Sequence, residues 1–113
     1  MIYRRKTYKV DHSIVAEFNR HFNENLLPTQ VKYGARLVGR WMRKESDEVT
    51  EIFAMWEYDS HEQYEEIEAK VRSDEAHMKR VQAWYEKIGR GNIKHLFKEI
   101  KKEEFFENTV IRK

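Results

Sequence analysis

The sequence predicts a single α+β domain with the element order β-α-β-β-α-β, and three observations carry that prediction. Two β-rich runs, Ala35 to Lys44 and Val49 to Tyr58, are separated by the polar tetrapeptide Glu45-Ser46-Asp47-Glu48, the pattern of an antiparallel hairpin. Apolar residues at three- and four-residue spacing on either side of the hairpin mark two amphipathic helices. Strand-like runs, Ile2 to Val10 and Ile93 to Ile100, stand at the two outer ends. A chain of 113 residues fits one domain, 1–113, and burial of roughly 65% of its unfolded surface gives it a real core.

Ile2, Tyr3, Tyr8 and Val10 alternate with Arg4, Arg5, Lys6 and Thr7, which predicts a first strand carrying too many charges for a fully buried centre. Asp11 to Ser13 supply N-cap oxygens, and Val15, Phe18, Phe22 and Leu26 then form the stripe of the first helix. Pro28 sets its expected end near Leu27, because the residue before a proline is pushed out of the α region; a fresh turn can open at Pro28 and stop at Gly34. After the hairpin, Ser60 and Gln63 form a capping box for the second helix. Its stripe runs through Tyr64, Ile67 and Val71 and resumes at Met78, Val81, Trp84 or Tyr85, and Ile88, so a break is expected near Ser73-Asp74. Gly89 and Gly91 end the helix, Ile93 to Ile100 follows as the fourth strand, and residues 101–113 read as a charged tail. This order is the ferredoxin-like plan: a four-stranded antiparallel sheet with two helices on one face.

The hairpin strands sharpen the picture. Leu37 and Trp41 oppose Val38 and Met42 on one strand, and Phe53 and Met55 oppose Ile52, Ala54, Trp56 and Tyr58 on the other, so both sheet faces are expected to be apolar. Two helices cover one face only. A homodimer formed through the other face is therefore expected, with Phe105 and Phe106 of the tail as a latch on the partner or as ordinary intrachain packing.

Composition excludes several classes. The 22 basic and 20 acidic residues nearly cancel, so no field that would hold nucleic acid is expected. No stretch approaches the roughly 20 apolar residues of a membrane span, and the first residues lack the apolar region of an export signal. With no cysteine, a thiolate site is impossible and a cytoplasmic location is expected.

Chemical motifs are sparse. No two of the five histidines stand four residues apart, so no metal is expected. His21 and His77 read first as rim histidines half in water, although His21 could point a nitrogen into a pocket between helix and sheet. Each serine sits where a cap or turn would place it, and Gly89-Arg90-Gly91-Asn92 follows a helix, which excludes a phosphate-cradling turn after a strand. The run Glu62, Glu65, Glu66, Glu68 reads as a solvated helix face paired to Lys70 and Arg72.

Asn25-Leu26-Leu27-Pro28, Gly34, Gly39-Arg40-Trp41, Trp56-Glu57-Tyr58-Asp59-Ser60 and Arg72-Ser73-Asp74 together resemble the NIPSNAP family. The resemblance implies a protomer of the dimeric α/β-barrel group that pairs through its sheet, in a family whose activity is largely undefined. Where that family often carries Asp-Pro-x-Trp, this chain has Asp74-Glu75-Ala76-His77. The wider group includes cofactor-independent monooxygenases and haem-degrading enzymes. The first strand lacks the asparagine that the haem degraders place there, and no cofactor is expected. The expected ligand is a small, partly apolar molecule held between sheet and helices, with Tyr8, His21, Trp41, Trp56 and Tyr58 as ligand-binding candidates. The competing reading makes these aromatics core or interface filling in a non-catalytic self-associating module.

Overall fold

The computed structural model describes residues 1–111, without the side chains of residues 99–101. Among the described residues, β1 (Ile2–Asp11), β2 (Arg36–Lys44), β3 (Val49–Tyr58) and β4 (Phe97–Glu107) form one antiparallel sheet in the order β2-β3-β1-β4. The helices are α1 (Val15–His21), α2 (Leu27–Lys32), α3 (His61–Ser73), α4 (Glu75–Ile88) and α5 (Arg90–Leu96). They pack on the face carrying Val10, Ile52, Trp56 and Tyr58, which is the ferredoxin-like arrangement. No helix among the described residues is long and apolar enough to cross a membrane.

The first helix does not stop near Leu27. A turn of 3₁₀ helix at His12–Ile14, α1, a π turn at Phe22–Leu26 and α2 follow one another without a gap. Pro28 has no N–H for a carbonyl one turn back and its ring crowds that turn. The π turn widens the helix just ahead of it, with the Leu27 amide reaching Phe22 O. The stop comes at Gly34, whose φ of 103° only glycine adopts cheaply; the amides of Gly34 and Ala35 close back on Val31 O and Gln30 O in a Schellman turn. The break in the second helix falls where expected. Asp74 leaves the helix at ψ 101° and its Oδ1 accepts the His77 amide at 3.0 Å to start α4.

At the C-terminal end the expected elements move. Ile93 to Leu96 is helical, and the strand runs from Phe97 to Glu107, so the first part of the supposed tail is sheet. Ile93 and Leu96 stand three apart and both pack beside Val10 and Trp84, a spacing that serves a helix as well as a short strand. Residues 102–107 pair with β1 along the backbone ladder and are fastened by charge and by one aromatic contact: Glu103 bonds Arg4, Glu104 bonds Arg5, and Phe105 packs on Tyr64.

That pairing puts β1 in the middle of the sheet. Its charges were expected to keep it from a buried centre, yet Arg4 is only 2% exposed. The facing of β2 also differs from simple alternation. A bulge at Val38 lets Leu37 pair with Trp56 and Gly39 with Met55, so Leu37 faces the helices and Trp41 the opposite side. The helix-free face is consequently apolar only at its centre, around Trp41, Phe53 and Met55, and is rimmed by the ion pairs Arg5–Glu104, Arg43–Glu51 and Arg36–Glu57.

Candidate functional site

Among the described residues the core divides into two clusters. One gathers Phe22, Trp56, Tyr58, Ile67 and Val71; the other gathers Val10, Phe18, Ile52, Trp84 and Phe97. Between them lies a cavity of about 70 Å³ enclosed by β1, β2, β3 and the first and second helices. Its walls are Phe18, Phe22, Ile52 and Trp56, but the residues that divide the core are polar: Arg4, Lys6, Gln30, Arg40 and His77. A second, adjoining cavity of about 120 Å³ is lined by His21, Val81, Tyr85, Ile93 and Phe97, with Lys6, Tyr8, Phe18 and Leu26 shared between the two lobes.

Strand alternation explains how these cations arrive inside. On β1 the residues Arg4, Lys6 and Tyr8 stand opposite Trp56, Ala54 and Ile52, all on the helix side. On β2 the bulge rotates Arg40 inward, opposite Ala54, while its neighbours Gly39 and Trp41 face outward. The Trp41 ring folds back over Gly39 so closely that any Cβ there would collide with it. The Gly-x-Trp motif thus combines an outward aromatic flap with an inward arginine.

Arg4 is well neutralised. It donates to Glu68 at 3.1 Å, to Glu103 at 2.8 Å and to the Tyr58 hydroxyl at 3.2 Å. Burial opposes its charge, but Tyr58 and Glu68 more than offset it and keep the guanidinium firmly protonated. Glu68, expected on a solvated helix face, is turned inward and also accepts from Gln30 Nε2 at 3.3 Å. Arg40 is not neutralised in this way. It donates to the neutral Asn19 Oδ1 at 2.6 Å and lies 4.4 Å from the Phe22 ring centroid, its Nη2 buried without a hydrogen-bond partner, and burial lowers its pKa to about 10. Lys6 makes no ion pair among the described residues. Burial first, and then the Arg4 charge, lower it to about 8.

Both histidines expected at the rim are buried, His21 at 3% and His77 at 4% exposure. His21 stacks on Trp84 at 4.1 Å, and Asn25 Nδ2 lies 2.9 Å from its Nδ1; burial, with the neighbouring His77, lowers its pKa to about 4. His77 stands where the family pattern expects a tryptophan, and its Nδ1 points into buried space without a partner. Burial, then Arg80, lowers its pKa as well.

Of the five candidates, the structure brings Tyr8, His21 and Trp56 to the cavity walls. Tyr58 sits one layer behind, fully buried, with its hydroxyl on Arg4. Trp41, at 48% exposure, is on the opposite sheet face in an open groove of about 780 Å³ with Arg5, Arg43, Phe53 and Glu104. Sequence reasoning missed Lys6, Gln30 and Arg40. The available signal was the inward register of β1, in which every second residue from Ile2 to Val10 belongs to the core face and two of those are basic.

Comparison with known proteins places the chain. A model of the NIPSNAP family matches residues 3–96, and the chain belongs to that family. An uncharacterized NIPSNAP domain protein from Burkholderia xenovorans has a similar structure at 20% identity and a TM-score of 0.71, covering 100% of this chain and 99% of that one. A NIPSNAP family protein of unknown function from Agrobacterium tumefaciens superposes at 18% identity and a TM-score of 0.68, covering 94% and 86%. SnoaB, a cofactor-independent oxygenase from Streptomyces nogalater, shares the fold at 12% identity and a TM-score of 0.53, covering 97% and 95%. A search of curated proteins finds no match.

Proposed function

We propose that this NIPSNAP family protein is a cytoplasmic homodimer that binds a small, partly apolar molecule in the cavity between its sheet and helices. The observation that carries this reading is the set of buried polar atoms without partners, Arg4 Nε, Gln30 Oε1, Arg40 Nη2 and His77 Nδ1, on four residues lining one cavity whose remaining walls are apolar. Buried polar groups left unpaired cost about 1–3 kcal/mol each, so a ligand or water that satisfies them recovers that cost. The cavity is smaller than the roughly 300 Å³ of drug-sized sites, which limits the occupant to about one ring with a polar end. A thermal-shift screen with quinones, haem, flavins, fatty acids and single-ring aromatics tests it. A true ligand raises the midpoint by mass action; no shift with any of them overturns the reading.

The dimer reading is supported by Trp41, Phe53, Met55 and Phe106, which meet on the helix-free face with Trp41 and Phe106 still 48% and 41% exposed. Sedimentation at micromolar concentration should give a dimer, and a clean monomer would contradict it. Phe105 packs on its own protomer against Tyr64 and His61, which leaves Phe106 as the latch. A second reading, oxygenation without a cofactor, is favoured by one feature: the unpartnered His77 Nδ1 in the cavity, free to take a proton from a phenolic substrate. Oxygen uptake with hydroquinones tests that reading directly.

A further inference from the structure

We infer that the molecule held between sheet and helices is a small ring-bearing carboxylate, its carboxylate set beside Lys6 and Arg40 and its ring in the apolar lobe. This rests on the ligand-binding reading above and adds the charge and shape of the ligand.

The charge follows from how the cavity is balanced. Arg4, Lys6 and Arg40 line the smaller lobe, and the carboxylates bonded to them among the described residues, Glu68 and Glu103, are both on Arg4. Among the described residues, three cations against two carboxylates leave one positive charge in excess. Buried cations are costly unless an anion meets them; here Lys6 feels Glu68 and Glu103 only at a distance, both being bonded to Arg4, while Arg40 has an amide oxygen and two phenyl faces. An excess of one calls for a monoanion rather than a phosphate dianion. The smaller lobe, about 70 Å³, has little more than the volume share of two waters, so a carboxylate placed in it lies next to both cations.

The ring follows from the other lobe. Tyr8, Phe18 and Phe97 pack edge to face there, with centroids 5.0 to 6.4 Å apart, and Val81, Tyr85 and Ile93 close it. Its volume of about 120 Å³ is close to that of an apolar cavity of about 150 Å³ that takes benzene. Lys6, Tyr8, Phe18 and Leu26 line both lobes, so the lysine stands at the waist where ring and carboxylate would join.

Calorimetric titration of the full chain with benzoate, benzamide and toluene at pH 7 tests the inference. Benzoate should bind about tenfold or more tightly than benzamide, the margin of a charge-assisted contact over a neutral one. Lys6→Met, close to isosteric, should erase that preference and at the same time raise the melting temperature of the ligand-free protein, because it removes the positive charge in excess at the cavity. A purely structural lysine would lower that temperature on replacement, and this result would contradict the assignment. Equal binding of benzoate and benzamide to the unaltered protein overturns the carboxylate and leaves the cavity reading standing. Binding of none of the three overturns both.

Discussion

The two faces of the sheet carry similar residues and use them in opposite ways. On the helix-free face the cations Arg5, Arg36 and Arg43 each hold a carboxylate within 2.9 Å, and the apolar side chains between them remain open to solvent. On the helix side the apolar side chains are buried, and among the described residues two of the three cations, Lys6 and Arg40, make no direct ion pair. The first face is balanced in charge and incomplete in apolar cover, as suits a surface awaiting another protein. The second is complete in cover and unbalanced in charge, as suits a pocket awaiting an anion. Which face a residue occupies therefore decides its role more than its type does.

The sharpest contrast is between Trp56 and Phe53, three residues apart on β3 and so on opposite faces. Trp56→Asp places a charge in the core and should unfold the protein at 37 °C, since even Trp→Ala in a core costs about 3–5 kcal/mol. Phe53→Asp should leave a folded protein by circular dichroism that sediments as a monomer. A folded Trp56→Asp or a dimeric Phe53→Asp would show that the faces are misassigned.

Arg4 and Arg5 allow a finer comparison, being adjacent in sequence and opposite in facing. Arg4→Met strands two partly buried carboxylates and should cost about 2–3 kcal/mol in urea unfolding. Arg5→Gln removes an ion pair about a third exposed and should cost about 0–1 kcal/mol. Equal costs would remove the distinction between a built interior and a solvated rim.

How far the sequence discloses these roles depends on what kind of force sets them. The hairpin, the Ser60 cap and the break at Asp74 are local, and all stand where the residues predict. Gln63 completes its box one residue early, on the Asp59 amide, which changes nothing downstream. Leu27 and Pro28 misled because a π turn absorbs the proline, an option that spacing alone does not announce. The site was harder to read for two physical reasons. Arg4, Lys6 and Arg40 look like surface charges until the register of β1 and the bulge at Val38 turn them inward. Residues 102–107 look like a tail because charge pairing with β1 does much to fasten them and the adjacent Phe105 and Phe106 show no alternation. The aromatics Tyr8, His21 and Trp56 were legible because apolar burial is written in periodicity; Trp41 was misplaced by one bulged residue.

A smaller effect reports on the helix side alone. His21 titrates at about 4 when folded and at about 6.5 when unfolded, so in that interval the unfolded chain binds the extra proton. Stability should fall as pH drops from about 6.5 to 4, and His21→Phe should flatten that part of the curve. A variant as acid-sensitive as the parent would mean that His21 is not shielded by Trp84.

Lys6 offers the most direct measurement of all, because the account depends on a cation held inside whose nearest carboxylates, Glu68 and Glu103, are already bonded to Arg4. Its surroundings are Arg4 and Tyr8 on β1, Arg40 on β2, Glu103 on β4, Glu68 on α3, His21 on α1, and His77 and Tyr85 on α4. A carbon-detected NMR titration of the Lys6 side chain in the ligand-free protein should show its midpoint at about 8 and, with saturating benzoate, a clear upward move. A midpoint at the ordinary 10.5 would mean that the lysine is solvated or already paired, and the unbalanced interior would not exist.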